Sequence, residues 1–273
     1  MFSKNIFRKE IRLNRNSFFV WSATVSIVIL LGMAFYPVLM EEQMLEQLTG
    51  FFENPFMKGI LTAFGASIEV LTNILGFYST RNAIFIMLLG GFFSILLAGK
   101  ILAKEEREKS AEFLLAKPVT RSEIVWSKLF AYLTYLVLFN TFVLFAGLIS
   151  LEIFKGKSDY SLAAFLIHTV YTFFLMLIFG AIGLYLSLWL KRGRSISNLS
   201  IGIIVGAYFV DAISKITPSV DKIGYLSPFK FVDSEVLRPG YGFEWWRILY
   251  FLGISVLLFV LTFVKYRKKD ILI

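Results

Sequence analysis

KILAKEEREKSAEFLLAKPVTRSEIVWSK, residues 100–128, is the longest charged run in a chain that is otherwise mostly apolar. Long hydrophobic segments lie on both sides of it, so it reads as an elbow between two membrane spans. Over 103–115 a short surface helix is expected, with Lys104 facing Glu108 and Glu105 facing Lys109 at i,i+4 spacing. Phe113, Leu114 and Leu115 give that helix an apolar end. Pro118 stops it, because proline lacks the N–H and the residue before it avoids helical geometry. Thr120-Arg121-Ser122-Glu123 then fits a capping box, in which Thr120 caps the next helix and Glu123 reaches back to it. Taken on its residues alone, the run is either an ordinary loop with solvated charges or a short helix that transmits force to both adjoining spans.

Composition places the elbow in a membrane protein. Of 273 residues, 57% are hydrophobic, only 17% are charged, and mean hydropathy is +0.72. Soluble domains are nearer half apolar and a quarter charged. The net charge of +9 is spread in short clusters beside apolar runs, as topology signals are, and forms no patch for nucleic acid. Having no cysteine, the chain has no disulfide, Cys-ligated metal or thiol nucleophile. A single histidine, His168, gives no basis for a His-rich metal site.

Outward from the elbow, apolar runs give six spans, at 18–40, 83–102, 129–151, 161–190, 196–213 and 246–265. The fold class is therefore an all-α integral membrane protein, a single transmembrane domain over 1–273. Residues 1–16 mix Phe2, Ile6, Phe7, Ile11 and Leu13 with Lys4, Arg8, Lys9, Arg12 and Arg15. They read as a basic amphipathic helix on the inner membrane surface, as a topology anchor, or as both. Ser3 is placed to cap it. The apolar run behind has no small-residue cleavage site, so it reads as a span and not as a removable leader. Between the first two spans, 55–78 carries Phe56, Ile60, Phe64, Ile68, Leu71 and Leu75 at helical spacing, interrupted by Lys58 and Glu69. An outer amphipathic helix or a re-entrant one fits better than a full span, since a carboxylate in hydrocarbon is costly. Lysine and arginine concentrate at 1–16, the elbow, 191–194 and 265–269, which puts both termini and the elbow in the cytoplasm.

Polar residues in or near the spans are Glu69, Arg81, Asn82, Asn140, His168 and Asp211. Asp211 is spaced to pair with Lys215, and His168 reads as a structural side chain. None of them identifies a substrate ligand. Gly202 and Gly206 form a GxxxG step that suits close helix packing, within one subunit or between two. Trp21, Trp126, Trp189, Trp245 and Trp246 fall near span ends, as interfacial anchors do.

The elbow also resembles the signature loop of ABC-2 type transporter permeases. Glu105, Glu106, Glu112, Leu114, Leu115, Pro118, Val119, Thr120, Arg121 and Lys128 stand at matching places, while Lys109 and Ser110 replace the family's usual Gly-Thr pair. The segment from Tyr225 to Phe231 before the last span and the basic tail extend the similarity. The resemblance implies that 103–115 is a coupling helix docking on a separate ATP-binding cassette subunit. Phe113, Leu114 and Leu115 would be its apolar contact, Glu105, Glu106, Arg107, Glu108 and Glu112 its rim, with Pro118 and Arg121 behind. It also implies a homodimer, or a heterodimer with a related permease, with the first and fifth spans at the seam. This chain has no G-x-x-x-x-G-K-[ST] loop. ATP and Mg would therefore sit on the partner, and no cofactor or enzymatic activity is expected of this chain. Such a protein would be a permease of the cell membrane that exports amphipathic or hydrophobic cargo such as peptide, drug or lipid. The alternative is a motor-independent channel or secondary transporter, for which paired midplane charges or repeated halves are expected. Neither occurs in the sequence.

Overall fold

A computed structural model describes residues 2–63, 66–107, 119–189, 196–216, 218–232 and 241–268. Regular structure among them is helical throughout: α1 (Lys4–Met33), α2 (Tyr36–Leu39), α3 (Glu42–Glu53), α4 (Pro55–Ala63), α5 (Ile68–Thr72), α6 (Ile74–Phe77), α7 (Ala83–Arg107), α8 (Arg121–Phe154), α9 (Leu162–Ser187), α10 (Ile196–Ile216) and α11 (Trp245–Lys268). A π-helical turn, Tyr78–Asn82, leads into α7, and 3-10 turns at Pro218–Leu226 and Pro228–Phe231 precede α11. Six of these helical stretches are long and apolar enough to cross a membrane.

The boundary expected between a surface helix at 1–16 and a span at 18–40 is absent. Helix α1 runs unbroken for 30 residues. No glycine or proline interrupts it before Gly32, and a change from basic to apolar composition does not break backbone hydrogen bonds. One stripe, Ile6, Glu10, Asn14, Phe18, Ser22, Val25, Ile29 and Met33, is buried along its whole length. Ser3 occupies the N-cap position but makes no side-chain cap.

Residues 55–78 likewise form three short helices and a π turn, and no single amphipathic helix. Ser67 accepts from the Val70 N–H at 3.2 Å and starts α5. Asn73 accepts from Leu75 and Gly76 at 2.9 and 3.1 Å and starts α6. Both side chains offer the backbone a fresh N-cap in place of helix continuation. Ile74, Leu75, Gly76 and Phe77 are buried, whereas α3 buries none of its residues.

The centre of the molecule is α7 against α9. Gly180 and Gly183 let them meet: a Cβ at Gly183 would collide with the Ile95 carbonyl oxygen, and one at Gly180 would lie 2.8 Å from Ser94 Oγ. Ser94 fills the contact by donating to the Met176 carbonyl at 2.5 Å and lying 2.9 Å from the Tyr132 hydroxyl. α1 packs along α8, with Phe18 and Tyr135 ring centroids 5.2 Å apart. α11 packs on α9, and Phe229 and Phe231 of the second 3-10 turn are buried there. Outward faces remain apolar on α1 (Phe19, Val20, Ile27, Leu31), α10 (Ile201, Phe209, Ile213) and α11 (Leu249, Val256, Val260). Such faces suit lipid or another apolar surface.

Candidate coupling site

The end of the molecule that carries the basic clusters is organised by the first four turns of α8. Thr120 and Glu123 form the expected capping box. Thr120 Oγ1 accepts from the Glu123 N–H at 3.2 Å, and Glu123 Oε2 accepts from the Thr120 N–H at 2.8 Å. The start of α8 is thereby fixed by local chemistry, independent of what precedes it.

From that start, side chains reach three other elements. Lys128 is fully buried; its ammonium donates to the Ile101 carbonyl of α7 and lies 4.0 Å from Glu10 Oε1 of α1. Glu10 is also fully buried, and its other oxygen accepts from Asn14 Nδ2 at 3.3 Å. A buried charge is tolerated only when paired and hydrogen-bonded, so this trio holds α1, α7 and α8 in one register. The Ser3 N–H donates to Ser127 Oγ at 2.8 Å, and the Tyr135 hydroxyl donates to the Ile11 carbonyl, which adds two more ties to α1. Arg121 donates from Nη1 to the Arg267 carbonyl near the end of α11 at 3.0 Å. Trp126 meets Phe263 with centroids 5.9 Å apart, and Lys265 lies over the Trp189 ring.

These ties flank the elbow. Glu105, Glu106 and Arg107 form the last residues of α7, so 103–107 continues the second span and does not begin a separate helix. Glu108, Glu112, Phe113, Leu114, Leu115 and Pro118 lie outside the described residues. Arg121 opens α8. Gly202 and Gly206 lie on the open face of α10, where an added Cβ would meet no atom within 4 Å among the described residues. Asp211 pairs with Lys215 at 2.6 Å, as its spacing implies. His168 is buried in α9, and Glu69 is exposed in the first turn of α5.

Glu10 and Asn14 escape a reading of the sequence by motif. One signal does point to Glu10: it is the only acid in the first 40 residues, set at i+4 between Ile6 and Asn14. An isolated acid on the apolar stripe of a basic helix calls for a buried cation, and Lys128 is that cation.

Lys128 thus contacts α7 and α1 at once, beside the described ends of the elbow. The family model described as ABC-2 family transporter protein matches residues 4–271. No curated protein matches the chain. With six apolar helices and a match over nearly its full length, the chain belongs to the ABC-2 transporter family, as a multi-pass membrane permease component.

Proposed function

We propose that this permease is driven by a separate ATP-binding subunit and exports its cargo, with the elbow as the element on which the motor acts. The observation that carries the reading is the Glu10–Lys128–Ile101 group, which ties both arms of the elbow to the N-terminal helix. A push delivered to Arg107 or Thr120 would pass into α7 and α8, which Lys128 ties to α1. ATP and Mg belong to the partner, whose closure would bias the spans between two states. Two permease chains would meet along α1 and α10, with Gly202 and Gly206 at the seam. Under the positive-inside rule the basic end faces the cytoplasm, with both termini there and the membrane that of the cell.

The test is purification of the chain with its native partners, followed by reconstitution. An ATPase subunit should co-purify, and ATP should drive efflux. Replacing Phe113, Leu114 and Leu115 together by Ser should leave ATP hydrolysis in place and abolish efflux. Normal efflux in that variant removes the coupling role of the elbow. Absence of any ATPase partner removes the motor-driven reading.

A further inference from the structure

A cavity of about 180 Å³ opens between α1, α7 and α10 at the basic end, lined by Ser17, Trp21, Phe93, Leu96, Leu97, Lys100, Ile196 and Ser197. Its polar lining is one-sided. Among the described lining residues Lys100 is the only charged one, and Ser17 and Trp21 stand beside it on α1. Lys100 is partly buried, and no carboxylate lies within 4.0 Å of it among the described residues. A lysine partly buried against Phe93, Leu96 and Leu97 gains from a counter-charge at its ammonium. A cation over an apolar floor suits an anionic group carried on a hydrocarbon chain.

Size narrows the ligand further. Pockets that enclose a drug-sized molecule run from about 300 Å³ upward. This cavity takes a headgroup and leaves the rest of the molecule outside, where the apolar faces of α1 and α10 are exposed at Phe19, Val20, Leu199 and Ile201. Lys100 lies about two turns before Arg107, the last described residue of α7.

We propose that this groove binds an amphiphile with an anionic, phosphate-type head, with the head on Lys100 and its chain leaving along α1 and α10. The ligand is either cargo or a resident lipid. The first of these rests on the proposed transport role, whereas the binding does not.

The chain alone, in phosphatidylcholine vesicles, is titrated with phosphatidylglycerol or phosphatidylcholine brominated on the acyl chain. Quenching of Trp21 is read as the difference between the native chain and Trp21→Phe. Brominated phosphatidylglycerol should quench Trp21 with roughly fivefold preference, the amount one lysine contributes toward anionic lipid. Lys100→Gln should abolish the preference and Lys100→Arg should retain it. Lys104→Gln, on the next turn, should leave it unchanged. Ser17→Leu, which fills the cavity, should cut quenching by both lipids. Equal quenching by the two lipids in the native chain overturns the proposal. So does equal loss in the Lys100 and Lys104 variants, which would mean surface charge alone. With the ATPase present, release of Trp21 quenching during turnover marks the amphiphile as cargo, and unchanged quenching marks it as resident lipid. Failure to find an ATPase leaves the vesicle measurement intact.

Discussion

Glu10 and Lys128 face each other at 4.0 Å with neither side chain exposed, one on the N-terminal helix and one in the second turn of α8. Removing either group takes from the other its buried counter-charge at this contact. Glu10→Gln and Lys128→Met should each destabilise the protein by about 3–5 kcal/mol. The double variant should lose less than the sum, because the contact between the two groups can be lost only once. Lys128→Met carries an added loss, the hydrogen bond to the Ile101 carbonyl. Unfolding in a mild-to-denaturing detergent titration measures all three. Strict additivity would show that the two groups do not interact.

What could be read from the sequence here follows from range. Thr120 and Glu123 are three residues apart, and their capping box is written in the chain itself. The Asp211–Lys215 pair is local in the same way. The spans are legible because twenty apolar residues leave few alternatives. Glu10 and Lys128 are 118 residues apart in the chain and are joined by packing, so their pairing is not legible there even though Lys128 stands in the signature loop. The division of α1 fails for a different reason: a change in side-chain character marks where the environment changes, while only glycine, proline or a competing cap marks where the helix ends. Ser67 and Asn73 are such caps, and they divide 55–78 where apolar periodicity alone suggests continuity.

The cap at Thr120 gives a sharper test of the elbow's far boundary. Thr120→Ala should cost about 1 kcal/mol, and Thr120→Ser should cost little, since serine keeps the accepting oxygen. The loss is local. Amide hydrogen exchange should rise at Glu123, whose N–H is bonded to Thr120 Oγ1, and stay unchanged in the middle of α8. An equal rise along the helix would mean that the cap supports global stability and not the position of the first turn.

Glycines at two helix faces should respond in opposite ways. Gly183 stands against backbone, where a Cβ would collide with the Ile95 carbonyl oxygen. Gly183→Ala must push α7 and α9 apart, and a loss of about 1–3 kcal/mol is expected. Gly202 meets nothing within 4 Å among the described residues, so Gly202→Leu should leave the subunit's own unfolding unchanged. If α10 lies at a seam between two copies, the same variant should lower the yield of disulfide cross-links between cysteines placed on that face. The chain's lack of native cysteine makes that measurement clean. Unaltered cross-linking would remove Gly202 from the subunit interface.

Arg247 closes the opposite end. Its Nε donates to Glu244 Oε2 at 2.5 Å and its Nη1 to the Phe231 carbonyl at 3.1 Å. The guanidinium lies 5.6 Å from the Tyr171 ring centroid, 5.9 Å from that of Tyr241 and 5.6 Å from that of Trp246. A planar cation can stack and donate in two directions at once, whereas an ammonium cannot. Arg247→Lys should therefore behave as a loss variant. It should release the Pro228–Phe231 turn from α11 and cost about 1.5–3 kcal/mol, the range for a hydrogen bond to a charged group. Exchange at the Phe229 and Phe231 amides should accelerate, while the Thr120 cap at the basic end stays protected. Retention of native stability by the lysine variant would show that charge alone holds this corner and that the stacked geometry contributes nothing.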